Sequence, residues 1–318
     1  MNARPRPGMP WRRAVLAVIA ACGLALGAAT AAAEPGHPPA VRAVTGAKAV
    51  RAPAVNACDP TASSLRPSGP PQVTPGSFMA KIRARGYLIA GVDQSTYHFG
   101  FLNPLSGQIE GFDIDMIRAV AKAIFGDPGK VQFKAFSDAQ RIPDTANGTV
   151  DIVAHTMTIT CDRLKLIDFS SVYFEAHQKV LVLKNSSATS LDDLHGQKVC
   201  ATSGSDSVDR IKEHHAIAVE VPYWTDCLVL LQQGSVAAIS TDDSILDGLA
   251  AQDPWTKIIG KPLTDEPYGL AISKQHPEFV RFVNAVLQQL RTDGQWKASY
   301  AHWLGNPVPS PPPAHYAG

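Results

Sequence analysis

The sequence predicts an α/β protein of two lobes. Strand and helix signals alternate twice in succession, from Tyr87 to Phe174 and again from Leu191 to Ala251. An apolar strand at Tyr268–Ser273 then returns towards the first set. A chain of 318 residues is long enough to build both cores. Its formal net charge of +1 gives no reason to expect a nucleic-acid partner.

The first segment is a targeting signal. Met1–Arg13 carries four arginines and no acid, and Ala14–Ala33 is almost wholly small and apolar. Two cleavage readings stand open. Ala31-Ala32-Ala33 suits an ordinary signal peptidase and makes residues 1–33 the signal peptide. Ile19-Ala20-Ala21-Cys22 suits a lipobox, which would remove residues 1–21 and leave Cys22 lipid-modified at a membrane. Either places the protein outside the cytoplasm, in a periplasm or at the cell surface. Residues 34–76 are rich in Pro, Ala, Ser and Gly and read as a flexible spacer, and residues 306–318 as a disordered Pro-rich tail.

The chain has five cysteines, of which four remain once Cys22 is set aside, an even number for an oxidising compartment. Of three possible pairings, Cys200–Cys227 is favoured because a predicted strand ends at the first and a nearby helix opens at the second. That leaves Cys58–Cys161. No CxxC occurs, so neither a redox pair nor a cysteine zinc site is suggested.

In chain order, Phe78–Arg85 is a short helix and Tyr87–Val92 the first strand, ending at Asp93. An aromatic loop with Tyr97 follows. Ile114, Ile117, Val120, Ala121 and Ile124 form one helical stripe to Phe125, with Asp113 as its N-cap. Val131–Phe136 is a strand, and Asp138–Asn147 a helix with Pro143 in its first turn.

The stretch Val150–Arg163 is the most informative. A short apolar strand leads into Thr156, Thr158 and Thr160 at alternate positions, a spacing that on extended chain aims three hydroxyls one way. Thr160 can cap the turn carrying Arg163. Open α/β sheets bind ligands at the ends of their strands, and an arginine there suits a carboxylate. The plainer alternative is a surface turn capped by Arg163. In the second set, Ser203-Gly204-Ser205 opens a helix from Asp206, a backbone anion site or an ordinary turn. Val236–Ser240 ends in Thr241-Asp242-Asp243, where an acid can cap the next helix or hold an ammonium group. Phe279, Phe282, Val283, Val286, Leu287 and Leu290 recur at helical spacing before Gly294.

These motifs together resemble the extracytoplasmic solute-binding proteins of polar amino-acid ABC transporters, family 3, of the glutamine- and glutamate-binding type. The marks are Gly91-Val-Asp93, Gly111-Phe-Asp-Ile-Asp115, Arg141-Ile-Pro143, Val150-Asp-Ile152, Thr158-Ile-Thr160 with Arg163, Asp168-Phe-Ser170, Gly204-Ser205, Asp242 and Thr292-Asp-Gly-Gln-Trp296. The resemblance implies a periplasmic-binding-protein-like type II fold, two α/β lobes joined by two hinge strands. Lobe 1 would span residues 77–173 and 271–305 and lobe 2 residues 179–265, with crossings near 174–178 and 266–270.

The resemblance also implies a monomeric receptor, without cofactor, for an amino acid. Arg163 would bind the α-carboxylate with help from Ser205 and the N–H groups of Ser205 and Asp206. Thr158, the Thr156 carbonyl and Asp242 would hold the α-ammonium. Arg141 lies 22 positions before Arg163, the spacing at which acidic amino-acid binders of the family place an arginine for a distal carboxylate. Asp93 could pair with Arg141 or accept from an amide, and Tyr97 would wall the pocket. The combination leans to glutamate or aspartate with tolerance for glutamine and asparagine. The partner would be an ABC permease, or a membrane receptor that signals to a cytoplasmic kinase. A dehydratase on the same scaffold is the third reading, but Asp242 and the threonines argue for binding over turnover.

Overall fold

A computed structural model of the chain describes residues 58–317. Helix α1 (Phe78–Arg85) is capped by the Ser77 hydroxyl and leads into β1 (Leu88–Val92). A small antiparallel sheet of β2 (Ser95–Thr96), β3 (Gly100–Leu102) and β4 (Ile109–Glu110) stands where the sequence suggested only an aromatic loop. Helix α2 (Phe112–Phe125) follows, then β5 (Val131–Ala135). The next segment opens as a 3-10 turn at Asp138–Gln140 and continues as α3 (Arg141–Ala146) before β6 (Ile152–Ala154). Helix α4 (Cys161–Leu166) and β7 (Asp168–Phe169) complete the first run.

Strand β8 (Phe174–Leu183) is a single ten-residue strand that reaches into the second sheet. There β9 (Lys198–Thr202), α5 (Ser207–Glu213), β10 (Ile217–Val221), α6 (Trp224–Gln232), β11 (Ala238–Asp242), α7 (Asp243–Gln252) and β12 (Thr256–Ile259) follow. Strand β13 (Asp265–Tyr268) runs back antiparallel to Phe174–His177, and β14 (Ala271–Ile272) rejoins the first sheet. Helices α8 (Pro277–Thr292) and α9 (Gln295–Leu304) close the lobe. The sheet orders are β5-β1-β6-β14-β7 and β10-β9-β11-β8-β12. Two α/β lobes are thus joined by two paired strands, the type II arrangement.

Alternation along the strands divides the first core. Ile152 and Ala154 face the cluster under α2 and α8, while Val153 faces Phe136, Met157 and Phe169 on the other side of the sheet. The apolar stripe of α8 is buried throughout, each large side chain contributing about 1.5–3 kcal/mol. The N-cap of α2 is Gly111, not Asp113. A side chain at 111 would strike the Phe99 carbonyl at 2.1 Å, and the residue's φ of 138° suits glycine. Asp113 is instead drawn inside, where it accepts from the Thr156 N–H at 2.8 Å and the Tyr173 hydroxyl at 2.6 Å.

Both expected disulfides form. Cys200–Cys227 ties β9 to α6, and Cys58–Cys161 ties the N-terminal arm to the first residue of α4. The arm and the tail depart from the readings of spacer and disorder. The Ser64 hydroxyl donates to the Phe169 carbonyl at 2.7 Å, and Asn284 of α8 donates to Ser64 Oγ and to the Leu65 carbonyl, each at 2.7 Å. The tail docks beside the arm through Ala317 N–H to the Ser64 carbonyl at 2.9 Å and Arg291 to the Pro312 carbonyl at 3.1 Å. Proline removes backbone donors but leaves carbonyls for side chains such as Asn284 and Arg291 to grip. The signal-peptide readings, Cys22 and residues 34–57 lie outside the described residues. Among the described residues no helix is long and apolar enough to cross a membrane.

Candidate functional site

The strand ends of the two lobes converge between the sheets. Thr160 accepts from the Arg163 backbone N–H at 3.2 Å and so caps α4, as its position in sequence suggested. The cap leaves the Arg163 side chain directed inward, 7% exposed, with one guanidinium nitrogen 2.7 Å from the Thr158 carbonyl and 3.4 Å from the Asp206 carboxylate of the other lobe. The threonine row is not one extended run. Thr156 has φ of +42°, so the chain turns there, held by the Asp113 carboxylate on its N–H. Thr158 makes an isolated bridge to Tyr268, which belongs to the returning hinge strand.

From lobe 2, Asp242 ends β11 and is buried. It occupies the N-cap position of α7 but makes no capping bond. Its carboxylate accepts from the Tyr268 hydroxyl at 2.5 Å, so capping is not its role. Arg163 and Asp242, from opposite lobes, are therefore fastened to the adjoining residues Thr158 and Tyr268. Beside them lies Glu266, 5% exposed, bonded to the Thr264 hydroxyl. Burial, then the nearby Glu266 and Asp206 carboxylates, push Asp242 well above the usual carboxylate range. Burial and Asp206 likewise raise Glu266. Crowded acids of this kind ionise more readily when a cationic group is brought beside them.

Arg141 is buried, at 3% exposure, and reaches both lobes. Its Nε donates to the Asp138 carbonyl at 3.1 Å, and its terminal nitrogens to the carbonyls of His155 at 3.1 Å and Gly204 at 3.4 Å. Its carboxylate partner is Asp138, at 3.1 Å, rather than the expected Asp93. Asp93 is spent on its own turn, where it accepts from the N–H groups of Gln94 and Ser95 and the hydroxyls of Ser95 and Thr96. Ser205 donates both its N–H and its hydroxyl to the Thr202 carbonyl. Asp206 meets Arg163 through its side chain. Tyr97 stands apart from the buried group, 37% exposed and packed on Phe101.

Asp113, Asp138, Glu266 and Tyr268 were missed as site residues. Asp138 had a signal, three residues before Arg141 on a helix, and so had Glu266, an acid at an expected hinge crossing. No group of three or more metal-ligating side chains occurs among the described residues.

Burial pushes Asp113 up to about 6, with the Tyr173 hydroxyl and the Thr156 N–H opposing. A carboxyl whose pKa is higher folded than unfolded keeps its proton better in the fold, so its contribution to stability falls as pH rises from about 4 to about 6. We expect the melting temperature of the native protein to lose ground to that of Asp113→Asn across this window. The check is thermal unfolding of both proteins, without ligand, at a series of pH values.

Known proteins share this architecture. The family model described as bacterial extracellular solute-binding proteins, family 3, matches residues 88–306. The ABC transporter glutamine-binding protein GlnH of Bacillus subtilis is 41% identical over 229 residues, covering 71% of this chain and 84% of the relative. The glutamate-binding protein GluB of Corynebacterium glutamicum is 29% identical over 242 residues, covering 72% of this chain and 81% of the relative. Among solved structures, an ancestral arginine-binding protein bound to glutamine superposes with a TM-score of 0.66 at 35% identity, covering 70% of this chain and 99% of that one. The match spans both lobes and both hinge strands described above, and the chain belongs to the bacterial extracellular solute-binding proteins of family 3.

Proposed function

We propose that this protein is a receptor for a polar amino acid of the glutamine and glutamate class, which it captures between its lobes and delivers to an ABC permease. The observation that carries the reading is a buried guanidinium from one lobe, Arg163, held on Thr158, and a buried carboxylate from the other, Asp242, held on Tyr268, with Thr158 and Tyr268 bridged to each other. A zwitterion presents one carboxylate and one ammonium at fixed separation. Arg163 suits the first through a planar fork of donors. Asp242, with Glu266 close by, suits the second. Both charges are costly to bury unpaired, so the closed arrangement favours a guest that completes both pairs.

The names of the relatives support this class. The glutamine-binding GlnH shares more identity with the chain than the glutamate-binding GluB does. The lean towards acids rested on the spacing of Arg141 from Arg163; the Asp138 carboxylate 3.1 Å from Arg141 favours an amide there instead.

The test is calorimetry of the folded protein against the twenty amino acids. Heats of binding are expected for glutamine, asparagine, glutamate or aspartate, and none for leucine or lysine. Binding of a sugar, or of no amino acid at all, would contradict the reading.

A further inference from the structure

Asp138 sits at the contact between the lobes. It is 5% exposed, and one carboxylate oxygen accepts from the Thr202 hydroxyl across the cleft. The other, Oδ1, lies 3.1 Å from an Arg141 terminal nitrogen and 3.3 Å from His155 Nδ1, yet makes no hydrogen bond of good geometry. His155 Nε2 lies 3.2 Å from the Phe136 carbonyl, which only accepts, so that contact assigns the ring proton to Nε2. One further buried polar atom here is also unpaired, His155 Nδ1, on the residue whose carbonyl Arg141 holds. Buried polar atoms are nearly always hydrogen-bonded, and two orphans next to one guanidinium point to a polar group that belongs among them.

The chemistry of that group follows from the charges. Arg141 offers N–H donors and Asp138 an acceptor at almost the same place. A carboxamide has both complements, an oxygen for the guanidinium and an NH2 for the carboxylate. A carboxylate could use Arg141 but has no proton for Asp138 Oδ1, and it would set like charge against like in a buried site.

We propose that Asp138 is the residue that selects a carboxamide tail over a carboxylate tail, and so makes this receptor one for glutamine in preference to glutamate. This rests on the cleft being an amino-acid site, as argued above. Arg141 alone would read as an acid-binding arginine; Asp138 converts the pair into a reader of amides. Asp138 acts on the guest's side chain, and the head group is left to Arg163 and Asp242.

The experiment is calorimetric titration of the native protein, Asp138→Asn and Asp138→Ser with glutamine and with glutamate. Asn keeps the shape and an acceptor for Thr202, and Ser removes the charge should Asn fail to fold. The native protein is expected to bind glutamine at least about tenfold more tightly than glutamate. Each variant is expected to lose affinity for glutamine and gain it for glutamate, moving the ratio by about a hundredfold towards the acid. A merely structural role would weaken both ligands together, and an unchanged ratio overturns the proposal. A folded native protein that gives no heat with either ligand would instead strike the amino-acid reading itself, and the proposal with it.

Discussion

Arg163→Ala is expected to remove binding of every amino acid, whatever its side chain. The guanidinium is 7% exposed and is held by the Thr158 carbonyl and the Asp206 carboxylate. A ligand carboxylate brought into this site without it would be a buried charge lacking its partner. Breaking such a pair costs about 3–5 kcal/mol, a factor of about a hundred to several thousand in affinity. The fold should survive the change. The cap of α4 uses the Thr160 hydroxyl and the backbone N–H of residue 163, both of which alanine retains. Calorimetry paired with a thermal melt separates the two effects. Retention of native affinity would place the carboxylate elsewhere.

Gly248→Ala and Gly248→Leu are expected to act with opposite sign on folding and on binding. Gly248 is inside α7 of lobe 2, and a Cβ there would lie 2.7 Å from the Tyr97 carbonyl of lobe 1. Within the helix itself, alanine is better than glycine by about 1 kcal/mol. The ligand-free protein should therefore melt no lower than the native one. Closing the lobes, however, drives the new carbon into backbone, an overpacking cost of about 1–3 kcal/mol. Affinity should fall by about five- to 150-fold for alanine and further for leucine, for all ligands alike. The measurement is affinity and melting temperature side by side. A loss of stability equal to the loss of affinity would show that residue 248 matters to the lobe and not to its closure.

The contact at Gly248 could not be seen in the sequence, because it joins residues of separate lobes. Much else could. The alternation of strand and helix was legible from apolar periodicity, and so were α8 and the Thr160 cap, since each depends on residues within a few positions. The hinge was legible in part. The resemblance implied crossings near 174–178 and 266–270, but only the pairing of Phe174–His177 with Asp265–Tyr268 reveals one strand running from hinge into sheet. The turn at Thr156 was hidden, because Asp113, 43 positions away, imposes it through a single hydrogen bond. Asp242 read by position as a cap or an ammonium partner, and only the resemblance chose the second; its contact with the Tyr268 hydroxyl, from the second crossing, could not be read from sequence. Asp93 failed as a partner for Arg141 because an aspartate at the head of a turn finds its donors locally first. Proline-rich composition offered no periodicity to read in the arm and tail, and could not show that the arm docks through Ser64 and Asn284.

The central claim is that the cleft recognises both ends of a zwitterion at once. Titration of the native protein with glutamine, with its decarboxylated amine and with its deaminated acid tests this most directly. Glutamine should bind, and each half-ligand, having left Arg163 or Asp242 unmatched in a buried site, should bind at least about a hundredfold more weakly. Should either half-ligand bind as well as glutamine, the paired grip of Arg163 and Asp242 would be contradicted.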